Sequence, residues 1–124
     1  MNRTLRPVGR YIEAYNKALG IHLPCNTIFQ SGGLSTHISK RHPECLKYID
    51  KIGDIISNPD YLGVNPQEKN SIEFVKCYSN NVLVAVKLDS RNDYLYVASL
   101  YEIKQSKLER RIHSKRLIRM SLDI

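Results

Sequence analysis

The hydrophobic positions change period part-way along the chain. Between Arg6 and Leu19, Val8, Ile12, Tyr15 and Leu19 recur at spacings of three and four, which is one apolar stripe of a helix. Pro7 suits a first helical turn and Gly20 a stop, so the pattern predicts a helix over Arg6–Leu19. Ile21 to Gln30 contains Pro24 and reads as irregular, with a short strand at Thr27–Gln30 before a Ser31-Gly32-Gly33 loop. Ser35 or Thr36 can cap a short helix from His37 to Arg41. The residue before Pro43 is pushed out of helical angles, so that helix should end near His42. Pro43 then opens a third helix. Cys45/Leu46, Ile49, Ile52 and Ile55/Ile56 form its buried face, and Asn58-Pro59-Asp60 ends it.

Beyond Pro59 the period falls towards two. Tyr61–Val64 is a short strand candidate. Ser71–Tyr78 alternates, with Ile72, Phe74 and Lys76 on one face and Glu73, Val75 and Cys77 on the other. Ser79-Asn80-Asn81 is a turn. Asn81–Asp89 carries Val82 to Val86 and Leu88 and is the strongest strand signal. After a second turn at Ser90–Asp93, Tyr94–Ile103 alternates again. Tyr94, Tyr96, Ala98 and Leu100 share one face, and Leu95, Val97, Ser99 and Tyr101 the other. Lys104–Arg119 returns to a helical pattern with Leu108, Ile112 and Leu117 inward. Short turns between consecutive strands imply antiparallel pairing. The expected class is α+β: N-terminal helices packed on one face of a small antiparallel sheet of three to four strands, followed by a C-terminal basic helix. A length of 124 residues fits one domain over 1–124.

Composition adds little to the fold but constrains setting and partner. The chain is 42% hydrophobic and 25% charged, ordinary for a globular protein. No apolar run approaches the roughly 20 residues that span a bilayer, and no apolar segment follows MNRTLRPVGR as in a signal peptide. No membrane association is expected. Cys25, Cys45 and Cys77 are too few and too scattered for a disulfide framework, which suits a reducing, cytoplasmic setting. The net charge of +7 is concentrated. Lys104, Lys107, Arg110, Arg111, Lys115, Arg116 and Arg119 stand against Glu109 alone in the last helical segment. Such a cluster favours a polyanion, usually nucleic acid; a solvated helix with no partner is the plain alternative.

The densest candidate chemistry is HISKRHPEC, His37 to Cys45. As a metal site, His37, His42 and Cys45 fall short: a structural zinc site takes four ligands, and no second cysteine pair follows. Cys45 belongs to the apolar face of its helix, as inert free cysteines commonly do. No nucleophile elbow is present, and Gly32-Gly33 is better read as a turn than as a phosphate loop. No cofactor is called for. Acid–base chemistry on RNA fits better. Metal-free ribonucleases use the substrate 2′-hydroxyl as nucleophile, with a base for its proton, an acid for the leaving oxygen, and charge around the phosphorane. A helix histidine facing a sheet that offers Lys87, Ser99 and Tyr101 would supply these. Each residue also has an ordinary reading. Lys87 can be a strand-end lysine reaching for water, Ser99 a small residue in a tight spot, and Tyr96 and Tyr101 half-buried sheet aromatics.

Three stretches, HISKRHPECLKYIDKIGDIISNPDYLGVNP, SIEFVKCYSNNVLVAVKLD and DYLYVASLY with the following QSKLERRIH, resemble the phage-associated branch of the barnase–EndoU–colicin–RelE-like nucleases. The resemblance covers His37 to Leu117; residues 1–36 add little to it. It implies a RelE- or barnase-like fold and a metal-independent endoribonuclease of toxin or phage-effector type. It places His37 as general acid/base, Lys87 on the phosphorane, and Ser99 and Tyr101 at the hydroxyl positions of the last strand. Lys40, Arg41 and His42 would bind the scissile or flanking phosphate. Tyr96 and the basic helix residues Lys107, Arg110 and Arg111 complete the expected RNA contacts. The implied partners are RNA, tRNA included, and an antitoxin or immunity protein. The alternative is a non-catalytic nucleic-acid-binding or phage-encoded inhibitor protein on the same fold.

Overall fold

The computed structural model describes residues 4–68 and 70–120. Its organising element is a mixed sheet of seven strands among the described residues, in the order β1-β2-β6-β5-β4-β3-β7. The strands are β1 Leu5–Arg10, β2 Thr27–Ser31, β3 Tyr61–Val64, β4 Ser71–Cys77, β5 Asn81–Asp89, β6 Tyr94–Ile103 and β7 Leu117–Arg119. The helices are α1 Glu13–Leu19, α2 Leu34–Arg41, α3 Ile52–Ser57 and α4 Gln105–His113, with a 3₁₀ segment at Pro43–Lys51 leading into α3. The class is α+β as expected, but the sheet is larger than three or four strands. The β3–β6 meander is the antiparallel unit that the alternation predicts. It is extended on one side by β2, which pairs with β6 in parallel, and by β1. On the other side it is extended by β7.

The expected helix over Arg6–Leu19 is half strand. Leu5–Arg10 pairs with β2, and only Glu13–Leu19 is helical. Two residues decide this. Pro7 lacks an N–H, which an edge strand tolerates. Gly9 lets the chain press on α3, where an added Cβ would lie 2.9 Å from Ile56 Cγ2. Val8 sits at a register shift between Pro7 and Gly9, so it still turns to the core as the helical stripe required. Gly20 does end α1, at φ 68°, donating its N–H to the Asn16 carbonyl.

α2 begins at Leu34, before the expected caps Ser35 and Thr36, and no side chain caps it. It stops at His42, as Pro43 requires. Of the expected buried face that follows, Cys45, Ile52, Ile55 and Ile56 are buried, while Leu46 is 40% exposed because the 3₁₀ pitch turns it outward.

The helices lie on both faces of the sheet, not one. Leu34, Ile38, Cys45, Ile52, Ile55 and Ile56 pack with Ile72, Phe74, Val84, Val86, Leu95 and Leu100 in the main core. Tyr15 braces this core. Its ring meets Phe74 edge-on at 5.5 Å, and its hydroxyl donates to the Ile56 carbonyl. Burial pushes that phenol up to about 12. On the opposite face, α4 sets Leu108 against Val75, Leu83, Ile103 and Leu117. The basic helix ends at His113, and Leu117, expected on it, opens β7.

One irregularity sets up the site. Between β5 and β6, Ala85 pairs with Ser99 and Val86 with Val97, so Ala98 is an extra, bulged residue. A bulge moves every following side chain to the other face. Ser99 and Tyr101 therefore join Tyr94 and Tyr96, and Leu100 joins Leu95 and Val97 in the core. This corrects the expected faces of Tyr94–Ile103, where uninterrupted alternation separates Ser99 from Tyr96.

Candidate active site

Rows of paired residues cross the sheet on the α4 side. Gly63, Glu73, Ala85 and Ser99 form one row. Ser71, Lys87, Tyr96 and Phe29 form the next. Asp89 and Tyr94 pair beyond it. α4 covers the sheet on the other side of the first row, at Val75, Leu83 and Ile103. Ala85 and Ser99 are small, half-buried side chains of the first row.

His37 reaches this face around the edge of β6. The β2–β6 pairing is confined to Ile28 with Leu95 and Phe29 with Tyr96. The chain then leaves through Gly32-Gly33, and α2 packs along the vacated edge. Leu34 and Ile38 anchor α2 in the core, which turns the exposed His37 towards the sheet rim. Its Nε2 lies 3.4 Å from Ser99 Oγ. Five residues later the His42 ring lies over Tyr101, with centroids 5.3 Å apart and planes at 31°. The matching follows from geometry: five helical residues rise about 7.5 Å and two strand residues about 7 Å. Two histidines thus meet two hydroxyl-bearing residues of one strand in register.

A cleft of about 920 Å³ opens beside this contact, lined by His37, Lys87, Tyr94, Tyr96 and the loop Ser31-Gly32-Gly33. Lys87 forms an ion pair with Glu68 at the rim. Both side chains are at least a third exposed, and such pairs hold weakly, so the ammonium can exchange Glu68 for a phosphate. His37, Lys87, Ser99 and Tyr96 are therefore gathered in one place. Tyr101 and His42 adjoin it. Lys40 and Arg41 are exposed on the last turn of α2. Lys107 and Arg110 are exposed on α4 and make no described contact with the cleft residues. Cys45, expected on the apolar face of its helix, is fully buried in the core.

The sequence reading missed the most buried charge at the site. Glu73 is 2% exposed in the Ser99 row, two strand spacings or about 10 Å away. Arg116 grips it twice, Nε to Oε1 at 3.0 Å and Nη2 to Oε2 at 2.7 Å, and Arg111 Nη1 adds a contact at 3.5 Å. The hydrogen bonds to Glu73 raise the pKa of the Arg116 guanidinium above its ordinary value. Two guanidinium groups against one carboxylate leave net positive charge next to Ala85. The available signal was a glutamate among Ile72, Phe74 and Val75, since a carboxylate in a buried strand needs a cation.

The family model described as phage-Barnase-EndoU-ColicinE5/D-RelE like nuclease3 matches residues 6–110. The chain belongs to this nuclease family. The matched segment starts at Arg6 within β1, so β1, α1 and β2 are part of the family unit, beyond the His37–Leu117 span of the resemblance. His37, Lys87, Ser99 and Glu73 lie inside it, and Arg111 and Arg116 just past its end. Comparison with curated proteins and with solved structures returns no match. Among the described residues, no helix is long and apolar enough to cross a membrane.

Proposed function

We propose that this nuclease cleaves RNA without a metal, by attack of the substrate's own 2′-hydroxyl on the adjacent phosphorus. The observation that carries the reading is the approach of His37 Nε2 to Ser99 Oγ at the mouth of a cleft that also holds Lys87. Imidazole suits both proton transfers near neutral pH. His37 takes the role of acid/base. Ser99 orients its ring and donates to a phosphate oxygen. Lys87 balances charge on the phosphorane, and Tyr101 donates from the neighbouring row. His42, Lys40 and Arg41 hold flanking phosphates along α2, while Arg111, Lys107 and Arg110 extend the positive surface over α4.

We extend the reading to a toxin or phage-effector role, with an antitoxin or immunity protein covering the cleft and a cytoplasmic RNA such as tRNA as target; membership of a phage-associated nuclease family supports it. The test compares RNA and DNA strands of one sequence in EDTA. Cleavage of the RNA alone supports the reading. Cleavage of both strands, or cleavage only with added divalent metal, contradicts it.

A further inference from the structure

Beyond the phosphate chemistry, the sheet carries an aromatic surface without an assigned role. Phe29, Tyr94 and Tyr96 sit side by side on the cleft face, each half-buried. Tyr94 and Tyr96 have centroids 5.8 Å apart at 46°, and Phe29 meets Tyr94 edge-on at 6.2 Å. Among the described residues no helix seals them: the apolar cluster under α4 consists of Val75, Leu83, Ile103, Leu108 and Leu117, at the other end of this face. Large aromatics on an open sheet face are an expensive way to meet water, and core packing does not explain them. The charged groups lining the cleft here are Lys87 and Asp89. Asp89 is engaged by the turn, accepting from the Arg91 and Asn92 backbone N–H groups and from the Asn92 side chain. Among the described residues Lys87 is held by the exposed Glu68 pair alone, which a ligand's phosphate can displace, in a chain of net charge +7.

We propose that Phe29, Tyr94 and Tyr96 form a stacking platform for a nucleobase of single-stranded RNA. The inference rests on the RNA reading above and adds the substrate form. Sheet aromatics flanked by cations hold unpaired bases by their faces, which a duplex keeps stacked inside. Tyr96 pairs with Lys87, two residues along β5 from the Ala85–Ser99 pair, or about 7 Å along the strand. A phosphate at His37 and Ser99 therefore leaves an adjoining base over Tyr96 with Lys87 beside its backbone. The preference is for a single strand or loop.

The experiment measures binding of a short fluorescent 2′-O-methyl RNA strand, which lacks the attacking hydroxyl and is not cut. The same strand annealed to its complement serves as the control. Tyr94→Ala and Tyr96→Ala should each weaken single-strand binding about tenfold and leave duplex binding unchanged. Tyr96→Phe should bind like the wild type, and Tyr96→Leu, which keeps apolar cover over the sheet, should lose the affinity. Tyr→Ala and Tyr→Leu variants that fold and bind the single strand within about twofold of the wild type overturn the platform, as does wild-type protein that fails to bind the strand at low salt. Cleavage plays no part in this readout, so an inactive enzyme with intact ring-dependent binding would refute the catalytic reading and leave the platform standing.

Discussion

Replacing Glu73 with glutamine removes the one carboxylate that two guanidinium groups share. Breaking a buried pair from one side costs about 3–5 kcal/mol when the remaining charge stays buried. Here the remaining charges have some escape, because the Arg116 side chain is 25% exposed and Arg111 13%. Glutamine also keeps one acceptor for Arg116. The expected loss is therefore about 2–3 kcal/mol, a downward shift of about 1–2 M in the urea midpoint. Much of it should appear at β7, which Arg116 precedes and which, among the described residues, pairs only with β3. A double-mutant cycle separates the pair from its surroundings. Glu73→Gln and Arg116→Met should each destabilise, and together cost about 1.5–3 kcal/mol less than their sum. Glu73→Gln within about 0.5 kcal/mol of the wild type, or additive effects in the cycle, would refute the claim that this carboxylate is held by its arginines.

Gly63 pairs with Glu73 on one side and Leu117 on the other, and a Cβ there would run into the Arg116 carbonyl oxygen. Gly63→Ala should cost about 1–3 kcal/mol and speed amide exchange across Leu117–Arg119; unchanged exchange there would mean that β7 does not depend on that close approach. Tyr78 donates a 2.6 Å hydrogen bond to Asp54, and this bond holds the Asp54 carboxyl below its usual pKa. A carboxyl lowered on folding stabilises above its unfolded value of about 3.9 and gives that up as pH falls through its folded value. Tyr78→Phe should thus cost less than about 1 kcal/mol at neutral pH, Asp54 being exposed, and the deficit should shrink in acid; a deficit constant from pH 7 to pH 2 contradicts the link. Ser99→Ala should slow RNA cleavage while leaving stability within about 0.5 kcal/mol, since the hydroxyl it removes meets the exposed His37 and not a core group; equal cleavage rates would take Ser99 out of the site.

What could be read from the sequence depended on whether local pattern carried the information. The meander from Tyr61 to Ile103 was legible because its strands alternate and its turns are short. Pro43 marked the break after α2, and Gly20 the end of α1, because each enforces a backbone geometry by itself. Leu5–Arg10 misled because Val8 and Ile12 fall on a helical spacing, while the strand owes its existence to pairing with Thr27–Ser31, twenty residues on. β7 is three residues in a basic run, too short to carry a period.

The site was half legible. His37, Lys87 and Ser99 were recognisable as residue types suited to proton transfer on RNA, and the structure brings them together. The means of their meeting was not legible: the Ala98 bulge adds one residue to β6, and no residue type announces it. Nor was the Glu73–Arg116 pair: Glu73 lies on β4 and Arg116 just before β7, and only the sheet order brings the two segments near each other.

If His37 moves the protons of RNA cleavage, removing its imidazole must slow formation of the cyclic product. The direct measurement is the rate of formation of 2′,3′-cyclic phosphate ends on a single-stranded RNA in EDTA, for the wild-type chain and His37→Ala side by side. The wild type should give cyclic ends, and a folded His37→Ala a rate about 10²–10⁴-fold lower. Equal rates from the two proteins, or products that carry no cyclic phosphate, would contradict that role for His37.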